Sequence, residues 1–247
     1  MAIANDSKFD QYKHLIQSLP SISKETLLSE QFLLECDEKK KVQLYYAPFE
    51  HVNNQAKVVI VGITPGYHQM ERSFSTVLDA KNQLVNDNEL LHHVKKQSSF
   101  EGSMRKNLVQ MLDELGLHEF LGLSSTMDLF NEASQLVHTT SIIKYPVFYN
   151  GKNYNGSTPI LLKTELLKKY VTNCFATEMS QLDNPLIIPL GVNVSNALNY
   201  LVDNELLDSN AILAGFPHPS GGNGHRVKQF KEHKDQMHEM LRLHFQN

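Results

Sequence analysis

Two loops in this sequence concentrate residues able to do chemistry. Near the C-terminus, Phe216-Pro217-His218-Pro219-Ser220-Gly221-Gly222-Asn223-Gly224-His225-Arg226 gathers imidazole, hydroxyl and guanidinium groups among glycines, just before a segment with helical period. Such a loop is flexible, polar and locally cationic, and it feeds a helix N-terminus, where anions are favoured. Phosphate contact is the chemistry it suits, although a surface connection between two elements uses the same residues. The earlier loop, Gly62-Ile63-Thr64-Pro65-Gly66-Tyr67-His68, follows an apolar run directly. Two glycines around a proline make a rigid turn whose backbone N–H groups can face a ligand. A plain strand-to-helix turn has the same composition.

The elements that must position these loops are legible as alternating patterns. Val58-Val59-Ile60-Val61 and Leu186-Ile187-Ile188-Pro189-Leu190 read as buried parallel strands, with Ile142-Ile143 and Ile212-Leu213-Ala214 as weaker candidates. Helical spacing appears in Leu108, Met111, Leu112 and Leu115, then in Leu166, Leu167, Tyr170, Val171, Cys174, Phe175 and Leu182. It returns in Val227, Phe230, Met237 and Leu241, interleaved with Lys228, Lys231 and Lys234. Strands alternating with helices imply an α/β fold, expected here as a three-layer αβα sandwich around a central, mostly parallel four-stranded sheet. Ligands in such folds bind at the carboxyl ends of the strands. The first fifty residues, with Leu15-Ile16 in an amphipathic stretch and Val42-Gln43-Leu44-Tyr45-Tyr46 as a possible edge strand, carry no chemical signal.

Composition narrows the classes. The chain has 247 residues, 41% hydrophobic and 20% charged, as in ordinary globular proteins. Its formal net charge of −4 excludes a uniformly basic surface but not a local basic groove. Cys36 and Cys174 are its two cysteines, too few for a cysteine-only iron–sulfur cluster or a four-cysteine zinc site. No metal is expected at His92-His93 either, because neighbouring side chains on a helix do not converge. The polar stretch from Met1 to Asp10 is unlike a signal peptide, no run is long enough to span a membrane, and a reducing cytoplasm is the expected compartment.

Taken together, the two loops resemble the signature motifs of the uracil-DNA glycosylase superfamily, a Gly-x-x-Pro-Gly loop near the start and a His-Pro-Ser loop near the end. Two further segments match in order. Phe100-Glu101-Gly102-Ser103-Met104-Arg105-Lys106-Asn107-Leu108 is similar to the segment where an aromatic ring stacks on the flipped base, and Leu190-Gly191, followed by Val194 and Ala197, to the strand, turn and helix. The resemblance, to a divergent bacterial-type member, runs from Val58 to the C-terminus. It implies a single domain over 1–247, with an N-terminal extension at 1–50 and an insert at 67–99.

The resemblance also implies a DNA partner, a flipped base, hydrolysis of the N-glycosidic bond to leave an abasic site, no cofactor, and a monomer. Flipping costs a few kcal/mol. His218 and Thr64 take the catalytic positions, with His218 bonding the base carbonyl oxygen as charge develops there. Gly62, Ile63, Pro65, Gly66, Phe100 and Thr140 fall on the base-binding positions. Ser220, Gly221, Gly222, Asn223, His225, Arg226 and Lys228 fall on the DNA-binding positions.

Several residues depart from the family pattern. Ile63 and Thr64 stand where most members carry an acid or an asparagine to position water; a threonine hydroxyl can orient water but is a poor base. Glu71, Asp79 or Glu101 are the nearby carboxylates. Gly66 replaces a tyrosine that blocks substituents at C5 of the base, and Thr140 replaces an asparagine that reads uracil. Gly222 and Asn223 are small where the wedge normally carries a bulky tip, so Asn223, His225 or Arg226 would have to fill the gap. The insert reads as a lid or pocket wall, or as surface decoration. These departures favour a C5-substituted pyrimidine, such as a modified cytosine of phage DNA, and a role in antiviral defence. The alternatives are a uracil-removing repair glycosylase, a non-catalytic reader of modified bases, and a nucleotide hydrolase. The last lacks a Gly-Lys-Ser/Thr motif.

Overall fold

A computed structural model describes residues 2–4 and 6–246. Met1 and Asn5 of the polar N-terminal stretch, and Asn247 at the end of the expected domain, lie outside the described residues. The strands are β1 Ala2–Ile3, β2 Leu33–Asp37, β3 Val42–Tyr45, β4 His51–Val52, β5 Val58–Gly62, β6 Val137–Ser141, β7 Val147–Tyr149, β8 Lys152–Asn153 and β9 Leu186–Pro189. The α-helices are α1 Phe9–Gln17, α2 Lys24–Leu27, α3 Tyr67–Asp79, α4 Asp87–Ser98, α5 Ser103–Glu114, α6 Leu117–Phe120, α7 Glu165–Lys169, α8 Ala176–Met179, α9 Val192–Asp203 and α10 Arg226–Gln246. A π-helical turn, Tyr170–Phe175, joins α7 to α8.

The central parallel sheet has three strands, ordered β6-β5-β9, and not the four expected. Ile212, in the fourth candidate run, makes only an isolated parallel bridge to Ile187, and a short 3-10 turn at Ser209–Ala211 leads into it. Ile142-Ile143 also falls outside the sheet, since the strand is the more polar Val137–Ser141 just before it. The architecture departs further from a sandwich around one sheet. An antiparallel sheet, β2-β3-β7-β8, and a two-stranded antiparallel pair, β1-β4, stand beside the parallel strands. The stretch read as an edge strand is therefore interior, with β3 paired to β2 on one side and β7 on the other.

Strand β5 is buried along its whole length because both of its faces are covered. Val59 and Val61 pack with Ile187 into a core shared with α1, α3, α4 and α9. Val58 and Ile60 pack with Leu186 and Ile188 against Leu108, Leu112, Met237 and Leu241. The insert at 67–99 belongs to this interior: α3 and α4 bury Met70, Phe74, Val77, Leu90, Leu91 and Val94. A lid would keep such residues exposed. Helix α4 also covers the free edge of β6, where the Lys95 ammonium donates to the Thr139 carbonyl at 2.8 Å. Asn53 Nδ2 caps the Val137 carbonyl at 2.9 Å. An uncovered edge would present unpaired carbonyls. Among the described residues, no helix is long and apolar enough to cross a membrane.

Candidate functional site

The parallel strands end together, and their C-terminal ends border a cavity of about 500 Å³ lined by Gly62 at the end of β5, Ile63, Thr64 and Gly66 in the loop that follows, Ser141 at the end of β6, and Gly191 after β9. Phe100, His218 and Ser220 complete the wall. Residues far apart in sequence converge because parallel strands place all their carboxyl ends at one edge.

Phe100 owes its place to two features. Its backbone has φ +53°, the left-handed region, which strains a bulky residue. Arg105 holds that turn by donating to the Ser99 carbonyl at 2.6 Å, while its guanidinium stacks over Phe130 at 4.8 Å. The Phe100 ring then lies against Gly62, where a β-carbon would meet its edge at 3.3 Å. Gly62 thus sets the depth to which an aromatic ring can approach the strand end.

His218 is fixed by its own loop. Its Nδ1 accepts the Ser220 N–H at 3.2 Å, so the neutral ring carries its proton on Nε2 as a donor. Burial holds its pKa below the usual histidine value. The loop is braced in turn. Asn107 Nδ2 donates to the Pro219 carbonyl at 2.8 Å, Asn223 Nδ2 to the His218 carbonyl at 3.1 Å, and Arg226 to the Ser220 carbonyl at 2.9 Å. Asn223 and Arg226 are therefore internal braces, occupied by loop carbonyls. Gly221, Gly222, His225 and Lys228 remain exposed, and Lys228 lies 3.8 Å from Glu232.

Four expectations change here. The Thr64 hydroxyl donates to the Tyr145 carbonyl at 2.8 Å and accepts the Val147 N–H at 3.1 Å. Both bonds tie the β5 loop to the start of β7, so the hydroxyl's one proton is committed to the fold. Thr140 is buried and donates to Glu178 at 2.5 Å, so its hydroxyl serves a buried charge cluster; Ser141 lines the cavity instead. Pro65 faces a smaller adjoining hollow. None of Glu71, Asp79 and Glu101 lines the cavity, nor does any other carboxylate among the described residues. Glu71 accepts from the Tyr67 hydroxyl, and Glu101 lies 3.4 Å from His68.

The side of Gly66 expected to be open is occupied. A β-carbon there would lie 3.1 Å from Asn153 Nδ2, and Asn153 Oδ1 accepts the Tyr67 N–H at 3.0 Å. Asn153 thus brings an amide into the cavity wall that the sequence reading missed. Its signal was present in Asn150-Gly151, whose φ values of +49° and +69° turn β7 into β8 as a tight hairpin. Asn155, Ser157 and Asn193 extend this polar wall, with Asn193 Nδ2 donating to the Asn155 carbonyl at 2.8 Å and to Ser157 Oγ at 2.9 Å.

Beneath the site lies the buried cluster of Glu178, His138 and Lys144. Burial opposes ionisation of Glu178, yet the Lys144 ammonium, the His138 hydrogen bond and the Lys95 ammonium hold it well below the usual carboxylate range. Burial lowers His138 to about 4, so its contact with Glu178 at 2.9 Å is a hydrogen bond from a neutral ring. Lys144 is the cation of the pair, and it also reaches Asp6 at 2.8 Å.

The chain belongs to the family of YoxB, an uncharacterized protein of Bacillus subtilis (strain 168), with 37% identity over 243 residues, 97% of this chain and 94% of that protein. No family model and no solved structure matches the chain.

Proposed function

We propose that this protein is a DNA glycosylase of the uracil-DNA glycosylase superfamily that flips a damaged or modified base into the cavity and hydrolyses its N-glycosidic bond. The observation that carries this reading is the convergence of Phe100 and the His218 Nε2 donor on one cavity at the ends of β5 and β9. A flat base can stack on the Phe100 ring, while His218 donates to a ring carbonyl oxygen as negative charge develops there. A donor fixed toward developing charge contributes about 3–4 kcal/mol of transition-state stabilisation. With no carboxylate in the wall among the described residues and the Thr64 proton committed to the Tyr145 carbonyl, bond breaking leans on this leaving-group stabilisation, and water adds to the resulting sugar cation.

The cavity is roomier than a bare pyrimidine ring requires, which supports a substituted base, including a C5-substituted pyrimidine. Asn153 limits that room beside Gly66, and its amide can discriminate between ring edges. The exposed Gly221-Gly222 segment and Lys228 suit the DNA backbone. A second reading, a non-catalytic reader of modified bases, is favoured by the absence of a water-activating carboxylate. Incubation with duplexes carrying uracil, cytosine, 5-methylcytosine and 5-hydroxymethylcytosine, followed by alkali, separates the two. Strand breaks at one base support the glycosylase; binding without breaks supports the reader.

A further inference from the structure

A second, partly open cavity lies between α4, β4 and β6. It holds about 20 Å³, room for one water-sized particle. Its polar lining includes Lys95, His51, His92, Ser99 and Ser134, and it contains no carboxylate among the described residues. Two of these groups are left wanting. Lys95 is 5% exposed, yet its ammonium makes no ion pair among the described residues, and its hydrogen bond goes to the Thr139 carbonyl. An ammonium has three donors. His51 is 2% exposed, and its Nε2 has no hydrogen-bond partner among the described residues.

Glu178 and Glu50 attract the Lys95 charge, but neither forms an ion pair with it. Glu178 is taken by Lys144, His138 and Thr140. Glu50 accepts from Ser7, the Lys8 N–H, Tyr46 and Tyr145. His138 is engaged at both nitrogens, with the Asn53 N–H and with Glu178. The His51 ring stacks on His92 at 4.8 Å and 14°, which fixes its edge within the cavity lining. Burial lowers His51 to about 2, so the ring is neutral and can carry a proton on Nε2. A buried cation with no carboxylate in contact and an unpartnered imidazole nitrogen therefore border the same small hole. A water molecule would satisfy the hydrogen bonds but put no counter-charge in contact with the Lys95 ammonium.

We propose that this cavity binds a monatomic anion, chloride in physiological salt, held between the Lys95 ammonium and the His51 Nε2–H. The bound ion would stiffen the C-terminal turn of α4, where Ser99 follows Lys95 by one helical turn and leads directly into Phe100. Thermal unfolding of the full chain, with sodium chloride exchanged for sodium gluconate at constant sodium concentration, tests it. Chloride should raise the Tm by roughly 2–4 °C in a saturating manner. Lys95→Met should abolish that rise; its persistence in the variant, or its absence from the wild type, overturns the proposal. Should Lys95→Met not fold, wild-type crystals grown in sodium bromide decide the question. An anomalous bromide peak within hydrogen-bonding reach of Lys95 Nζ and His51 Nε2 supports the site, and a water molecule there without such a peak overturns it.

Discussion

Gly191 and His218 pack so closely that a β-carbon on residue 191 would lie 2.9 Å from the His218 Cβ. Gly191 also has φ +90°, which side-chain-bearing residues rarely adopt. Glycine at the end of β9 is therefore what lets the His218 loop settle against the strand end. Gly191→Ala should destabilise the fold by about 1–2 kcal/mol and move the imidazole. Urea unfolding and base-release assays on the same preparation check both effects. Unchanged stability and unchanged release would show that the close approach is dispensable.

Thr64 is expected to act on the fold and not on the reacting atoms. Thr64→Val leaves the Tyr145 carbonyl and the Val147 N–H unpaired, for a loss of about 1–3 kcal/mol. Thr64→Ser keeps both bonds and should restore stability and base release together. A Thr64→Val variant that keeps wild-type stability yet fails to release base would return Thr64 to a direct chemical role.

Asn153 should govern which base enters. Removing its amide in Asn153→Ala opens the space beside Gly66 and takes away a hydrogen-bonding edge. The expected result is a KM about 10-fold higher for the preferred base, equivalent to about 1.4 kcal/mol, with bulkier substituents gaining relative to it. An unaltered preference across a panel of bases would remove Asn153 from the reading of the ligand.

Acid should unfold this protein through its buried histidines. Burial lowers His51 to about 2 and His138 to about 4, from the ordinary 6.5. Below pH 6.5 the unfolded chain takes up protons that the folded chain refuses. Stability is thus full above pH 6.5 and falls as pH drops toward 4, with a limiting slope of about 1.4 kcal/mol per pH unit for each histidine. Glu178, whose folded pKa is depressed, adds stability above its ordinary 4.5 that is lost at still lower pH. Urea midpoints at pH 7, 6 and 5 should fall in order; a flat profile would mean that these rings are protonated in the folded state.

The two loops were legible because glycine, proline and histidine at strand ends carry strong local constraints, and the run Val58–Val61 announces a strand covered on both faces. The fourth strand failed for a physical reason: Ile212-Leu213-Ala214 is apolar enough, but the chain passes β9 with a single bridge before turning toward His218. The strand at Val137–Ser141 is polar because its edge faces Asn53 and Lys95, and its threonines serve buried partners. Partners set such roles, and partners lie far away in sequence. Thr64 was misread for the same reason, since Tyr145 and Val147, which occupy its hydroxyl, lie some eighty residues on. Asn153 was missed although its hairpin signal was local, because nothing in the sequence set that hairpin against Gly66.

The measurement that tests the central claim most directly compares wild-type protein with His218→Ala on duplex DNA carrying the released base, reading alkali-labile breaks and DNA binding side by side. The account predicts that the variant binds DNA as the wild type does while releasing base about 10²–10³-fold more slowly. Base release at the wild-type rate by His218→Ala, or the absence of base release by the wild-type protein from every modified duplex, would contradict it.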